Sequence, residues 1–177
     1  MTCIEKGIDY ELVPVDRASA DYAALHPFTR MPVLEHSGSV VIEGLAITGF
    51  LDEAFDGPPL QPIEAGARAR MREWMSICAD YVFRDVVRTV PRDRPATNEE
   101  LGIARGVLER VAARMPPGPF LVADVLTLAD LYLAPQVSNA REKAPALLAS
   151  LDHLNPWFDG MTRRESFRLS SYDPAAL

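Results

Sequence analysis

Three short clusters carry residue types at spacings that bear on chemistry. The first is Met31-Pro32, directly ahead of the apolar run "VLEH". A proline at the first residue of a strand gives up one ladder hydrogen bond. An X-Pro bond also has access to the cis form. In the cis form Met31 would turn its backbone polar groups outward toward an extended ligand; in the trans form the proline is an ordinary start to an edge strand. The second is Glu43-Gly44, an acid at a strand end just before a helical pattern. The N–H groups of Gly44 and Leu45 are then free helix-start donors suited to a carboxylate. The alternative is that Glu43 simply offsets the positive helix end. The third is "TLAD", Thr127 to Asp130. A threonine three residues before an acid is a capping-box arrangement, a marker of a helix start and not of a site.

Other chemistries find little support. Cys3 and Cys78 are the only cysteines, and both sit in apolar-periodic segments, which points to reduced, buried thiols. His26, His36 and His153 show no metal-ligand spacing, so no metal is expected. There is no GxGxxG, Walker loop or GxSxG. The net charge of -7 disfavours nucleic acid and anionic membrane surfaces as partners. No stretch is long and apolar enough to span a bilayer, and "MTCIEKGIDY" is not a secretory signal, so the expected location is cytoplasmic.

The elements that must position these clusters follow from pattern. "IDYELVPV" (8 to 15) alternates and is rich in β-formers, which predicts a strand. A short helix or turn spans 17 to 25 and stops by His26, because Pro27 follows. Strands at 32 to 36 and 39 to 43 form a hairpin around His36-Ser37-Gly38, and a helix runs from 44 to 55. "DGPPLQP" (56 to 62) breaks both patterns. The predicted organisation is therefore an α/β domain at 1 to 56, a linker at 57 to 63 and an all-helical domain at 64 to 177. The helices expected in the latter cover 64 to 90, 98 to 115, about 128 to 149, and 155 to 167. Asn98 or Thr97 opens the second of them.

Taken together, "HPFTRMPVLEHSGSVVIEGLAITGFLDEAF" resembles the second half of the thioredoxin-like domain of glutathione transferases. That family has an asparagine-proline, a Val-Pro-Val-Leu strand, a hairpin and a Glu-Ser helix start at the same spacing. "PPGPFLVADVLTLADLYLAP" resembles a stretch of the family's helical domain, and "NPWFDGMTRRESF" its penultimate helix. The resemblance covers almost the whole chain, in order.

The resemblance implies a thioredoxin-like domain, shortened at its N-terminus, followed by a glutathione-transferase helical bundle. It implies a cis bond at Pro32, with the Met31 backbone pairing the cysteinyl amide of glutathione. Glu43 and Gly44 would receive the γ-glutamyl carboxylate and amine, and Arg30 the glycyl carboxylate. Glutathione would be the cosubstrate, its thiolate conjugated to a small hydrophobic electrophile in a detoxification role. A homodimer is implied as well. Tyr81, Phe83 and Trp157 would line the electrophile pocket or belong to the core.

Two departures stand out. Gly44 replaces the family's serine, which predicts glutathione binding weaker by about one hydrogen bond, ~0.5–1.5 kcal/mol. The family's first strand and its catalytic Ser, Tyr or Cys precede "EKGIDYELVPV", whereas Cys3 falls inside the first helix, so no catalytic residue is assigned. Either the start lies too late or the protein is a shortened relative that binds without turnover. A glutathione-dependent isomerase or dehalogenase is a further alternative.

Overall fold

The computed structural model describes residues 1–122 and 124–170, which divide between two compact units. The first unit is Thr2–Pro59 and the second runs from Leu60 through the end of the described residues.

The first unit opens with α1 (Thr2–Lys6), closed by a bond of 2.8 Å from the Ile8 N–H to the Cys3 carbonyl. The lysine that ends α1 anchors the unit. Lys6 Nζ lies 3.0 Å from Asp52 Oδ1, with both side chains nearly inaccessible, and 3.4 Å from the Pro58 carbonyl. Gly57 closes around the same point: its φ is +129, and a Cβ there would stand 2.5 Å from the Lys6 carbonyl oxygen. Only glycine fits.

Helix α2 (Ala20–Leu25) is capped by Ser19, whose hydroxyl accepts from the Tyr22 N–H at 3.1 Å. It ends at His26, which is extended because Pro27 follows. Strands β1 (Val33–His36) and β2 (Ser39–Ile42) pair antiparallel, with Val33 opposite Ile42 and His36 opposite Ser39. Ser37 and Gly38 both have positive φ, as a two-residue hairpin loop matched to strand twist requires. Helix α3 (Gly44–Ala54) follows without an intervening loop and buries Ile47 and Leu51.

The strand expected over 8 to 15 does not form. Among the described residues, 9 to 15 make no hydrogen bond, and Tyr10, Leu12, Val13 and Val15 are exposed. β-propensity specifies a strand only where a neighbour completes the ladder, and none lies beside this segment.

The second unit is helical. Helix α4 (Ala65–Ile77) starts where the Glu64 carboxylate accepts from the N–H groups of Gly66 and Ala67, at 2.8 and 2.6 Å. The rod then widens to π-helical turns over Cys78–Val87. Its buried residues Cys78, Val82 and Val86 recur every four positions. On α-helical turns of 3.6 residues that row would drift around the rod, and wider turns oppose the drift. Lys143 holds the end of this segment, donating to the Val87 and Val90 carbonyls at 2.7 and 2.8 Å.

Helix α5 (Asn98–Arg114) is opened by a capping box between Thr97 and Glu100. Helix α6 (Leu128–Lys143) is the buried centre of the unit, with Leu133, Ala134, Val137 and Ala140 inaccessible. It stops short of the expected 149, because Ala144 precedes Pro145 and leaves the helical region; a single 3₁₀ turn, Pro145–Leu148, follows. The last expected helix is two, α7 (Leu154–Thr162) and α8 (Glu165–Ser170). No helix of the described residues is long and apolar enough to cross a membrane.

Candidate functional site

The register of the hairpin brings two of the chemical clusters together. Val33 pairs with Ile42, so Pro32 and Glu43 lie one step further along, at the same end of the hairpin. The Met31-Pro32 bond is cis. Arg30 and Met31 are exposed, and among the described residues the Arg30 guanidinium has no ion-pair partner.

Four contacts hold the loop that leads into this corner. The Tyr22 hydroxyl, on the buried face of α2, donates to the Arg30 carbonyl at 2.6 Å. Arg17 Nε donates to the Thr29 carbonyl at 2.9 Å, and the Thr29 N–H donates to the His26 carbonyl at 2.8 Å. Nδ1 of His26 accepts from the Phe28 N–H at 3.2 Å. That acceptor role assigns the ring proton to Nε2. His26 is 1% exposed, and its Nε2 stands 4.0 Å from Glu43 Oε1, which brings the loop beside the start of α3.

Glu43 has φ +70, and its side chain is 63% exposed. It makes no capping bond to α3. The first intrahelical bond of α3 is from the Ile47 N–H to the Glu43 carbonyl at 2.9 Å. The N–H groups of Gly44, Leu45 and Ala46 therefore precede the helical ladder, beside an exposed carboxylate. The corner offers positive donors, one exposed anion and one exposed guanidinium. That combination suits a ligand bearing both an ammonium and carboxylates.

Neither thiol is poised as a nucleophile. Cys78 is inaccessible, and burial, reinforced by the Asp130 charge, pushes its thiol far up. Burial also raises Cys3, against smaller opposing contributions from the N-terminal charge and a backbone hydrogen bond. Both stay protonated at neutral pH.

Trp157 belongs to the core: it is 3% exposed, and its Nε1 donates to Asp130 Oδ1 at 2.9 Å. Tyr81 and Phe83 are exposed on the widened rod. Tyr81 lines a depression of about 360 Å³ floored by Trp74, Ile77, Val107 and Val111. The "TLAD" box forms as expected, with Asp130 Oδ2 accepting from the Thr127 N–H and hydroxyl at 3.0 and 3.1 Å. Sequence reasoning missed Arg17, Tyr22 and His26 as the tethers of the loop. The single local signal was His26-Pro27, which announces a chain reversal and not the side chains that hold it.

Residues 1–54 match the family model described as glutathione S-transferase, N-terminal domain, and residues 74–165 match the one described as glutathione S-transferase, C-terminal domain. Glutathione S-transferase 3 of Zea mays is 28% identical over 184 residues, covering 93% of this chain and 82% of the relative. Maleylacetoacetate isomerase of Rattus norvegicus is 28% identical over 180 residues, with the same coverage of 93% and 82%. Glutathione transferase F7 from Populus trichocarpa superposes with a TM-score of 0.82 at 21% identity, covering 95% of this chain and 88% of that one. The structure of glutathione S-transferase III in apo form gives a TM-score of 0.83 at 23% identity, with coverage of 98% and 90%. These two likenesses establish the fold: a thioredoxin-like domain with a small sheet, followed by a helical domain. With both domain models matched in order, the chain belongs to the glutathione S-transferase family.

Proposed function

We propose that this chain binds glutathione at the corner formed by Arg30, Met31, Pro32, Glu43 and Gly44, and uses its thiolate against a small apolar electrophile. The observation that carries the reading is the uncapped start of α3 beside the exposed Glu43 carboxylate. The γ-glutamyl end of glutathione bears an ammonium and a carboxylate on one carbon. Glu43 takes the ammonium, and the N–H groups of Gly44 and Leu45 take the carboxylate. Met31 pairs its backbone with the cysteinyl amide, and Arg30 takes the glycyl carboxylate. Hydrogen bonding to the sulfur lowers the thiol from its usual ~8.5, its proton passes to solvent, and the thiolate attacks an electrophilic carbon, forming a C–S bond as a halide leaves with its electron pair or as the pair moves onto a conjugated acceptor that water protonates. No side chain is assigned to that hydrogen bond.

A second reading, glutathione-dependent isomerisation, is supported by the similarity to the rat maleylacetoacetate isomerase. The family reading also carries a cytoplasmic, detoxifying role and a homodimer, with Arg68, Arg70 and Arg72 of α4 lining the subunit groove. Sedimentation checks the dimer.

The test of binding is retention on immobilised glutathione together with melting in its presence. Glutathione at a hundredfold excess over Kd adds about 2.7 kcal/mol, which raises Tm by roughly 5–11 °C. Replacing Arg30 with alanine reduces retention. Absence of both retention and shift overturns the proposal. Turnover of a chlorodinitrobenzene against that of a cis-enone separates conjugation from isomerisation, and binding with neither identifies a non-catalytic relative.

A further inference from the structure

Among the described residues, Thr29, Ser37, Glu43 and Ser150 are the non-glycine residues with positive φ, and of these Thr29 alone is β-branched. Its φ is +48. A branched Cβ crowds the backbone there, and residues so placed persist only where their surroundings over-determine them. Thr29 is fixed from both sides. Its N–H donates to the His26 carbonyl at 2.8 Å, which closes the turn from 26 to 29. Its carbonyl accepts from Arg17 Nε at 2.9 Å, across twelve residues of chain.

Arg17 stands on a firm base. Asp16 Oδ1 accepts from the Ala18 N–H at 2.9 Å, and the Asp16 carbonyl accepts from the Ser19 hydroxyl and N–H at 2.8 and 3.1 Å. These bonds close a tight turn that carries Arg17 and leads directly into α2. Arg17 is exposed and, among the described residues, forms no ion pair, so no carboxylate draws it away from the Thr29 carbonyl. The φ torsion of Thr29 lies between a peptide anchored on His26 and the peptide that leads to Arg30. Return of φ from +48 to the ordinary region, a turn of about 110°, swings the Thr29 carbonyl away from Arg17 and re-aims the chain at Arg30 and Met31.

We propose that Arg17 and Thr29 form a latch: the strained threonine drives the 26–30 loop toward a second setting, and the Arg17 guanidinium, by holding the Thr29 carbonyl, keeps the loop in the setting that presents Arg30 and Met31. Arg17 is then a positioning residue for the corner. Its effect on glutathione binding rests on the function proposed above, whereas the latch itself does not. Arg17 matters, on this account, because residue 29 is strained. Glycine enters the left-handed region without that strain, and with glycine at 29 the latch is superfluous.

The experiment is a double-mutant cycle of the parent chain, Arg17→Met, Thr29→Gly and the double variant. Methionine keeps much of the aliphatic stem of Arg17 and removes its donors. Amide exchange at residue 29, followed by NMR without ligand, reads the turn. Calorimetric titration with glutathione reads the corner. In the threonine background Arg17→Met speeds exchange at residue 29 and weakens glutathione, each about five- to twentyfold, as strain left unopposed requires. In the glycine background the same change alters either quantity by less than about twofold, so the two sites are strongly coupled. Thr29→Asn provides a second background, because asparagine enters the left-handed region more readily than threonine without glycine's looseness, and there Arg17→Met has an intermediate effect. Unchanged exchange in Arg17→Met, or equal acceleration in every background, overturns the latch. Equal weakening of glutathione in every background shows Arg17 meeting the ligand itself and overturns its positioning role. If none of these proteins binds glutathione, the proposed function fails, and the exchange comparison still decides the latch.

Discussion

Replacing Tyr22 with phenylalanine removes one oxygen and tests whether a helix hydroxyl positions the glutathione corner. The hydroxyl donates to the Arg30 carbonyl at 2.6 Å from a side chain that is 4% exposed. A hydrogen bond of this kind contributes ~0.5–1.5 kcal/mol net, whereas removing one partner and leaving a buried carbonyl unpaired costs ~1–3 kcal/mol. Arg30 is exposed, so water reaches part of its backbone and the lower end of the second range applies. The loss is about 1–2 kcal/mol, a fall in Tm of roughly 2–8 °C. The loop then samples positions in which the Met31 backbone no longer meets the ligand, and Kd for glutathione rises three- to tenfold, of the order of the same free energy. Thr97→Ala is the control. It removes the α5 cap at a comparable ~1 kcal/mol and touches no group of the corner. Both variants melt earlier in differential scanning fluorimetry, and calorimetric titration shows a weaker Kd in Tyr22→Phe alone. If Tyr22→Phe melts earlier but binds as Thr97→Ala does, the hydroxyl stabilises the unit without positioning the loop, and the reasoning fails.

Two further outcomes follow from the same physics. Gly44→Ser restores a hydroxyl at the first residue of α3, where Gly44 does not have positive φ, and should tighten glutathione binding two- to twelvefold by calorimetry, ~0.5–1.5 kcal/mol; unchanged affinity would place the γ-glutamyl group elsewhere. Asp130→Asn removes half of a buried acceptor set. Oδ1 accepts from the Leu121 N–H and Trp157 Nε1 at 2.8 and 2.9 Å, and Oδ2 from two Thr127 donors, so an amide nitrogen on the second side would face donors. The expected loss is about 2–4 kcal/mol in thermal unfolding, and a change within ~0.5 kcal/mol would show that the carboxylate is not what joins α6, α7, Leu121 and Thr127.

Features set by neighbours in sequence were readable in advance, and features set by neighbours in space were not. Ser37-Gly38 specified a two-residue turn, and the turn fixed the register that puts Pro32 across from Glu43. Thr127 and Asp130 specified a helix start through a contact three residues long. The end of α6 was missed: the expected helix ran to about 149, although Pro145 disfavours helix at Ala144. The widening at Cys78 was not legible, because no Gly or Pro marks it, and an apolar row every four residues fits ordinary helix almost as well. Residues 8–15 show the limit most plainly. Their alternation reports fitness to be a strand, and strand formation waits on a partner that lies nowhere in that alternation.

The candidate site divides along the same line. Met31, Glu43 and Gly44 were singled out by residue type at a spacing, and Arg30 by the family resemblance, both of which bear on what can touch a ligand. Arg17 and Tyr22 hold those groups in place through hydrogen bonds that cross to the Thr29 and Arg30 carbonyls, His26 stands 4.0 Å from Glu43, and composition gives no hint of these contacts. A backbone amide is the same in every protein, and so binding by main-chain donors owes its selectivity to where such tethers hold the chain. On the proposed reading, selectivity of this corner for glutathione over a free amino acid rests on Tyr22, Arg17 and His26 as much as on the residues that meet the ligand. Substitutions at those three should change affinity without changing which end of glutathione is recognised.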